Sequence, residues 1–479
     1  MGLIAAWQLP KWRAFSAIAL TYITLVFASA FAFLALPQIA DEFDVTLSTV
    51  GWVVIIESLI IAALLLPLGG LADVLGDKRV LSFGITIFGI GAILTGLSPS
   101  FATLIGARII MAIGNALVQS VATGIVFLLF PYTERGIAMG AQTSAVAIGS
   151  ASAPLLGGLG LEFLSWSAIF VLISIPTGLS LLAVRSLIPE RSLREVDVDR
   201  RFDMIGSVLS ALTIAMVVVT ISNPFSLDWL SPGIIGGVGA AIILLVLFVR
   251  WELRIDKPLL ELRLFAERAF RTPVALRTLG FLASAPSTLL LPVFLLSYRD
   301  VSVVGAGVII ALVSAGMGVG GQISGRLYDR MGPRLPTLVG FGLQLAVSLG
   351  LAFANLGTSL LVLGVVTAAA GFSLGLWNVP NNSAMLAATP SAYVGVGGAF
   401  TNVARTLGTV VGQAIATAVV AGVMASQGFD VPLGELADNL PAGGAFNEGW
   451  KVVYLLSALL SAALMLLATR LPATLRPSP

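Results

Sequence analysis

The stretch Gly69 to Leu81, GGLADVLGDKRVL, decides how the chain is read, because the chain repeats it: Gly325 to Arg334 runs GRLYDRMGPR. In both copies a glycine is followed by an aspartate, a second glycine and a base at matching intervals, so Asp73 answers to Asp329 and Gly76 to Gly332. Each copy closes one apolar run and opens another, which places it in a short turn between two membrane-crossing helices. Glycine lets helix ends approach closely, and a carboxylate there can accept backbone N–H groups of a neighbouring helix start while the bases stay in water. Two matching turns imply two matching halves, as in internally repeated membrane proteins.

Composition agrees. Of 479 residues 57% are apolar and only 10% charged, with a mean hydropathy of +1.01, which excludes an ordinary soluble globule. Taking about 20 apolar residues per crossing, the chain holds fourteen candidate spans, near 14–36, 48–68, 80–97, 102–126, 137–158, 165–187, 204–222, 233–251, 272–297, 303–325, 335–354, 358–380, 395–425 and 450–469. Of the 26 Lys and Arg, 22 are assigned to the side of Lys11 and Arg13, two (Arg299 and Lys451) to the opposite side, and two (Arg108 and Arg405) to span interiors. This asymmetry puts both termini in the cytoplasm. The acids of the opposite loops, such as Asp41, Glu42, Asp228, Asp430, Glu435 and Asp438, balance the basic side, so the net charge of +2 says nothing of nucleic acid. The run after Lys11 and Arg13 continues unbroken to Leu36, which argues for a retained first span over a cleaved leader.

The chain has no Cys and no His. Thiol chemistry, a histidine proton relay, Ser-His-Asp catalysis and imidazole metal sites are therefore excluded, and no Walker loop is present to cradle ATP. Neither an enzyme nor a cofactor or metal site is expected, so transport must draw on a gradient.

One acid stands apart. Glu57 falls about halfway along the second span, where an unpaired charge costs several kcal/mol and must be protonated, paired or facing water. It is read either as a neutral group bonded to a neighbouring helix or as a proton or cation site. Arg108, in the fourth span, cannot shed its charge and needs a partner; Glu57 is one and backbone carbonyls are the other. Arg405, in span 13, is read as a gate or a charge partner.

The paired turns resemble the loop signature of the major facilitator superfamily, found between spans 2 and 3 of each half. Further motifs resemble its fourteen-span drug:proton antiporter branch. Span 1 ends Ala35-Leu36-Pro37, as in the branch pattern Leu-Asp-x-Thr, Asn, Val-Ala-Leu-Pro, but Ala28, Ala30 and Phe33 stand where Asp, Thr and Asn are usual. Glu57 replaces a usual tyrosine and is read as taking over from the lost carboxylate. Leu104, Arg108 and Gly114 match the span-4 signature, with Met111 and Ala112 in place of Gln and Gly. In span 5, Gly149, Pro154, Gly157 and Gly158 resemble the antiporter hinge motif, with Ala153 for its first paired glycine. Arg405, Gly408 and Gly412 resemble an element of span 13, and Glu252 to Arg271 a Pro-Leu-Leu inner-loop segment.

The resemblance implies an all-α polytopic membrane protein with the major facilitator fold: two six-helix bundles (1–187 and 272–479), with linkers and extra spans 7 and 8 between them (188–271). It implies gating by the turns at Asp73, Gly76, Asp329 and Gly332 and by the span-5 motif, and coupling at Glu57 and Arg108. Phe27, Phe31, Phe33, Asn115, Gln119, Gln142, Trp377 and Asn378 are candidates to line a largely apolar cavity, and Asn378, Asn381 and Asn382 could instead cap the end of span 12. The expected function is proton-coupled export of hydrophobic or amphiphilic compounds by a monomer in a bacterial inner membrane. A lipid-like amphiphile exporter and a non-transporting receptor or scaffold are the alternatives.

Overall fold

A computed structural model describes residues 9–189, 202–223, 231–390, 393–429, 436 and 440–473. Most of the linker expected between Arg185 and Asp203, and the outer acids Asp228, Asp430, Glu435 and Asp438, lie outside the described residues. Among those described, fourteen helices are long and apolar enough to cross a membrane: Pro10–Phe43, Trp52–Leu75, Asp77–Gly96, Phe101–Leu129, Tyr132–Phe163, Trp166–Leu187, Met204–Ser222, Pro232–Glu252, Arg268–Tyr298, Val304–Met331, Arg334–Ala352, Leu360–Ala387, Gly395–Ser426 and Pro441–Ala468, here spans 1 to 14. The protein is an integral membrane protein of all-helical architecture.

Local chemistry sets where these helices begin and end. Serine side chains cap the starts of spans 4, 6, 8 and 10, where Ser100, Ser165, Ser231 and Ser302 accept from the backbone N–H of Thr103, Ala168, Ile234 and Gly305. Each cap satisfies an N–H that lipid would leave bare. The two repeated turns stop spans 2 and 10 with the same device. Gly76 and Gly332 close them at φ 92° and 75°, each donating its N–H back to the carbonyl four residues earlier. A side chain at that backbone setting is strained, which explains why glycine recurs there. The base after the first turn does more than sit in water: Lys78 Nζ donates to the carbonyls of Arg185 and Ile188 and so caps the end of span 6.

Helices extend past the apolar runs that announce them. Span 2 begins at Trp52 after a separate turn, Leu47–Val50, and continues to Leu75. Glu57 consequently lies on its second turn, nearer the start of the helix than its middle. Span 14 begins at Pro441 rather than near 450, shortening the loop before it.

The chain divides into two compact units, Met1–Ala138 with Ile148–Glu267 and Leu386–Val403, and Met139–Ala147 with Arg268–Met385 and Ala404–Pro479. In the first, span 4 packs against spans 2 and 3, span 6 against spans 1 and 3, and the extra spans 7 and 8 pair with each other and lean on span 2 through span 7. In the second, span 14 packs against spans 9 and 11. Between helices in lipid, close backbone approach carries the packing. Spans 3 and 4 show it: a methyl added at Gly91 would lie 2.6 Å from Met111 Cα.

Span 5 is not one regular helix. An α-helix, Arg135–Ser152, passes into a π-helical turn, Ala153–Gly157, and resumes at Gly158. Pro154 sits in that turn, where its missing N–H and bulky ring disrupt the regular ladder. Span 9 ends in a second π turn, Phe294–Tyr298, shortly after Pro292.

Candidate functional site

Span 2 brings Glu57 against span 4, and Arg108 Nη2 forms an ion pair with Glu57 Oε2. Both candidate partners of Arg108 are realised together, since its Nε donates to the Val53 carbonyl at 3.2 Å while Nη1 rests 3.3 Å from Met111 Sδ. The guanidinium also lies 5.5 Å from the Phe170 ring centre. Arg108 is fully buried and Glu57 only 4% exposed. The acid is therefore paired and tightly enclosed.

The other carboxylate oxygen has its own donors. Ser29 Oγ of span 1 donates to Glu57 Oε1, and so does Asn115 Nδ2 at 3.1 Å. Asn115 Oδ1 accepts from Gln119 Nε2 at 2.8 Å, and the Gln119 carbonyl accepts from Asn402 Nδ2 at 3.1 Å. Arg108, Asn115 and Gln119 recur at spacings that stack on one helix face, so span 4 carries a continuous polar stripe leading from the ion pair to the start of span 13. Three donors from two neighbouring spans hold the charged carboxylate.

Asn115 and Gln119, read from the sequence as cavity candidates, are part of this network. Ser29 was not anticipated, whereas Asn402, like Asn115 and Gln119 a candidate from sequence to line a cavity, joins the network. Ser29 follows Ala28, the position that bears the acid in similar chains, and a search of the adjacent helix position for a hydroxyl would have found it. The contact of Asn402 with Gln119 is tertiary, and no local pattern announces it.

The aromatic candidates separate. Phe27 stacks on Phe31 with ring centres 6.0 Å apart, and Phe31 meets Phe170 edge-on at 5.4 Å. Phe31 is fully buried while Phe33 is 62% exposed, so the two do not share a face. Gly157 lies against the Phe31 ring and Gly149 against the backbone of Ile23, which seats the irregular part of span 5 on span 1; a methyl added at Gly158 would come no nearer than 4.0 Å to Leu34. Asp73 is buried at the end of span 2 and Asp329 half-buried at the end of span 10.

The second unit holds a polar feature that the charge tally misplaced. Arg277 lies well inside span 9 and is only 3% exposed. It belongs with the span interiors, not with the inner loops. Its Nη1 donates to Asn378 Oδ1 of span 12, and its guanidinium lies 5.2 Å from the Phe281 ring centre. Asn378 and Asn381 are not end caps: Asn381 Nδ2 donates to the Trp377 carbonyl at 2.6 Å within the helix. Trp377 is fully buried, stacked on Phe341 at 5.2 Å and edge-on to Phe281 at 5.1 Å. Its ring fills a notch left by Gly280, so it packs the interior and lines no open space. Gln142 is buried in span 5, whose segment in this unit meets span 10: Ser144 Oγ donates to the Gly318 carbonyl at 2.9 Å. Arg405 is half-buried.

A sequence profile of the Major Facilitator Superfamily matches residues 18–413. The chain belongs to that superfamily. The transporter is 30% identical over 383 residues to the riboflavin transporter RibZ of Clostridioides difficile, covering 80% of this chain and 82% of the relative. It is likewise 30% identical over 388 residues to the multidrug resistance protein Stp of Mycobacterium tuberculosis, covering 81% and 72%. The fold is shared with the human organic anion transporter MFSD10 (TETRAN), at a TM-score of 0.67 and 18% identity over 95% of this chain and 100% of that one. Relatives named for drug resistance, such as Stp, stand beside one named for riboflavin transport. It is not an enzyme.

Proposed function

We propose that the transporter exports hydrophobic or amphiphilic small molecules across a bacterial inner membrane in exchange for protons, by alternating access. The observation that carries this reading is Glu57, a buried acid on the second turn of span 2 held by Arg108, Ser29 and Asn115. Such a group can alternate between a paired carboxylate and a protonated acid, and each exchange shifts which neighbours it binds. Arg108 is the counter-charge that makes the deprotonated state tolerable. The turns at Asp73, Gly76, Asp329 and Gly332 act as latches, and the π turn around Pro154, with Gly149, Gly157 and Gly158, as the hinge. Arg405 serves as a gate residue. The mostly apolar candidates around Phe27 and Phe33 suit amphiphiles better than sugars.

The test is flux by purified protein in liposomes under an imposed pH gradient, using riboflavin, a fluorescent organic cation and a labelled lipid as separate cargoes. Gradient-driven export of the first or second supports the proposal, and movement of the lipid alone replaces it with the lipid-exporter reading. Glu57→Gln should abolish the response to the gradient in folded protein. Undiminished coupling in that variant refutes the assignment.

A further inference from the structure

The extra helices, spans 7 and 8, carry no part of the site described above, yet their ends on the basic side meet in a buried pair of acids. Asp203 precedes span 7 and Glu252 closes span 8; they are 8% and 3% exposed. Asp203 Oδ1 accepts from the Gly206 N–H at 2.9 Å and from Trp251 Nε1 at 3.0 Å. Glu252 Oε2 accepts from the Leu260 N–H at 2.9 Å. The remaining oxygen, Glu252 Oε1, is buried with no hydrogen-bond partner.

That bare oxygen points at the other acid. A methyl placed on Gly206 would collide with both Glu252 Oε1 and Asp203 Oδ2, so the two oxygens flank the same small gap. This brings them within the roughly 4–6 Å over which two carboxylates resist joint ionisation. An ionised Glu252 would leave Oε1 both charged and unbonded in burial, a costly state. Asp203 Oδ2 already accepts from Trp251 Nε1 at 3.2 Å, so a proton on Oε1, donated to Oδ2, gives the one bare oxygen a partner and removes the repulsion. Besides Asp203, the charge that acts on Glu252 is Glu261 on the following segment.

The segment after Glu252 reaches the repeated turn. Leu259, 3% exposed, places its side chain where a methyl on Gly70 would be, and Phe202 flanks the same glycine. Gly70 belongs to the stretch that opens the first repeat. The Leu260 N–H, held by Glu252, is the next residue along. The acid pair is thereby tied to whatever presses on the end of span 2.

We propose that Asp203 and Glu252 form a second proton-binding site, separate from Glu57, whose shared proton locks the 253–261 segment onto Gly70 at the end of span 2. Loss of the proton sets two carboxylates against each other and drives the Glu252 side chain away from Asp203, and the Leu260 N–H that it holds moves with it and draws Leu259 off the glycine. The extra helix pair is then a proton-sensitive brace on the turn.

The absence of cysteine allows a direct test in protein reconstituted in nanodiscs. Leu260→Cys introduces a single buried thiol, and Arg254→Cys an exposed one on the same segment that corrects for the reagent's own pH dependence. The ratio of their maleimide labelling rates should rise from about pH 6 to about pH 8 by up to about tenfold per pH unit, the slope of one released proton. Adding Glu252→Gln should flatten the rise, and Glu57→Gln should leave it intact. Asp203→Asn, which removes the like charge, should blunt it and serves as the second arm if Glu252→Gln fails to fold. A ratio independent of pH, or a rise unchanged in both acid variants, overturns the proposal.

Discussion

The ion pair between Glu57 and Arg108 can be weighed by a double-mutant cycle. Arg108→Gln leaves Glu57 with Ser29 and Asn115 as donors but no counter-charge. Glu57→Gln removes the negative charge and leaves the buried guanidinium with neutral partners alone, the amide oxygen at 57, the Val53 carbonyl and Met111 Sδ. Breaking a buried pair from one side costs about 3–5 kcal/mol, whereas replacing both partners with neutral groups is often close to neutral. The enclosure of both side chains argues for the full penalty, moderated on the glutamate side by its two remaining donors. The expected pattern is two strongly destabilised single variants, Arg108→Gln less so than Glu57→Gln, and a double variant near the parent, with a coupling of about 3 kcal/mol or more. Thermal unfolding in detergent, followed by intrinsic fluorescence of the 8 tryptophans, reads it. Losses that simply add in the double variant would show that the two residues do not depend on each other and would refute the reasoning.

Other outcomes follow from single contacts. Alanine at Gly76 or Gly332 must adopt a positive φ, and each substitution should cost about 1–3 kcal/mol in thermal unfolding; no loss at either would deny that the turns need glycine. Asn378→Leu removes an acceptor from the buried Arg277 guanidinium and should cost about 1–3 kcal/mol by the same measurement, without altering the response of flux to pH. Asp73→Asn should lower transport rate more than substrate affinity if the turn is a latch, and steady-state flux against binding would show an unchanged rate if it is not.

Helices and their number were legible because apolar length is set by the bilayer, and the repeated turn was legible because only glycine tolerates its backbone. Depth was less so. Glu57 looked central since hydropathy marks the hydrocarbon, whereas the helix runs on into the turn until Gly76 stops it. Arg277 was taken for a loop residue because it follows Arg268 and Arg271 closely, and basic residues near a span end ordinarily snorkel to water. Burial against Asn378 and Phe281 is a tertiary fact that no local pattern announces. The same holds for Trp377: an aromatic near polar neighbours reads as cavity lining, and only the notch at Gly280 shows that it packs. Polar stripes are more readable, since Arg108, Asn115 and Gln119 share a face by spacing alone.

The geometry around Arg108 bears on whether a proton could plausibly work this site. Of its three guanidinium nitrogens, Nε and Nη1 have contacts that do not involve Glu57, and only Nη2 depends on the carboxylate. Protonating Glu57 would thus strand one donor rather than the whole cation. The cost of leaving such a donor unmet is about 1–3 kcal/mol, below the 3–5 kcal/mol of deleting the pair outright. A membrane potential supplies about 2.3 kcal/mol per charge for each 100 mV. Under the proposed coupling the two magnitudes match, because the carbonyl of Val53 and the sulfur of Met111 keep the arginine in place while its partner changes state. Replacing Met111 with Leu, which keeps the volume but removes the sulfur acceptor, should make the protonated state harder to reach and shift gradient-driven flux toward a steeper pH requirement. Flux with an unaltered pH profile in that variant would show that the anchoring contacts do not set the balance.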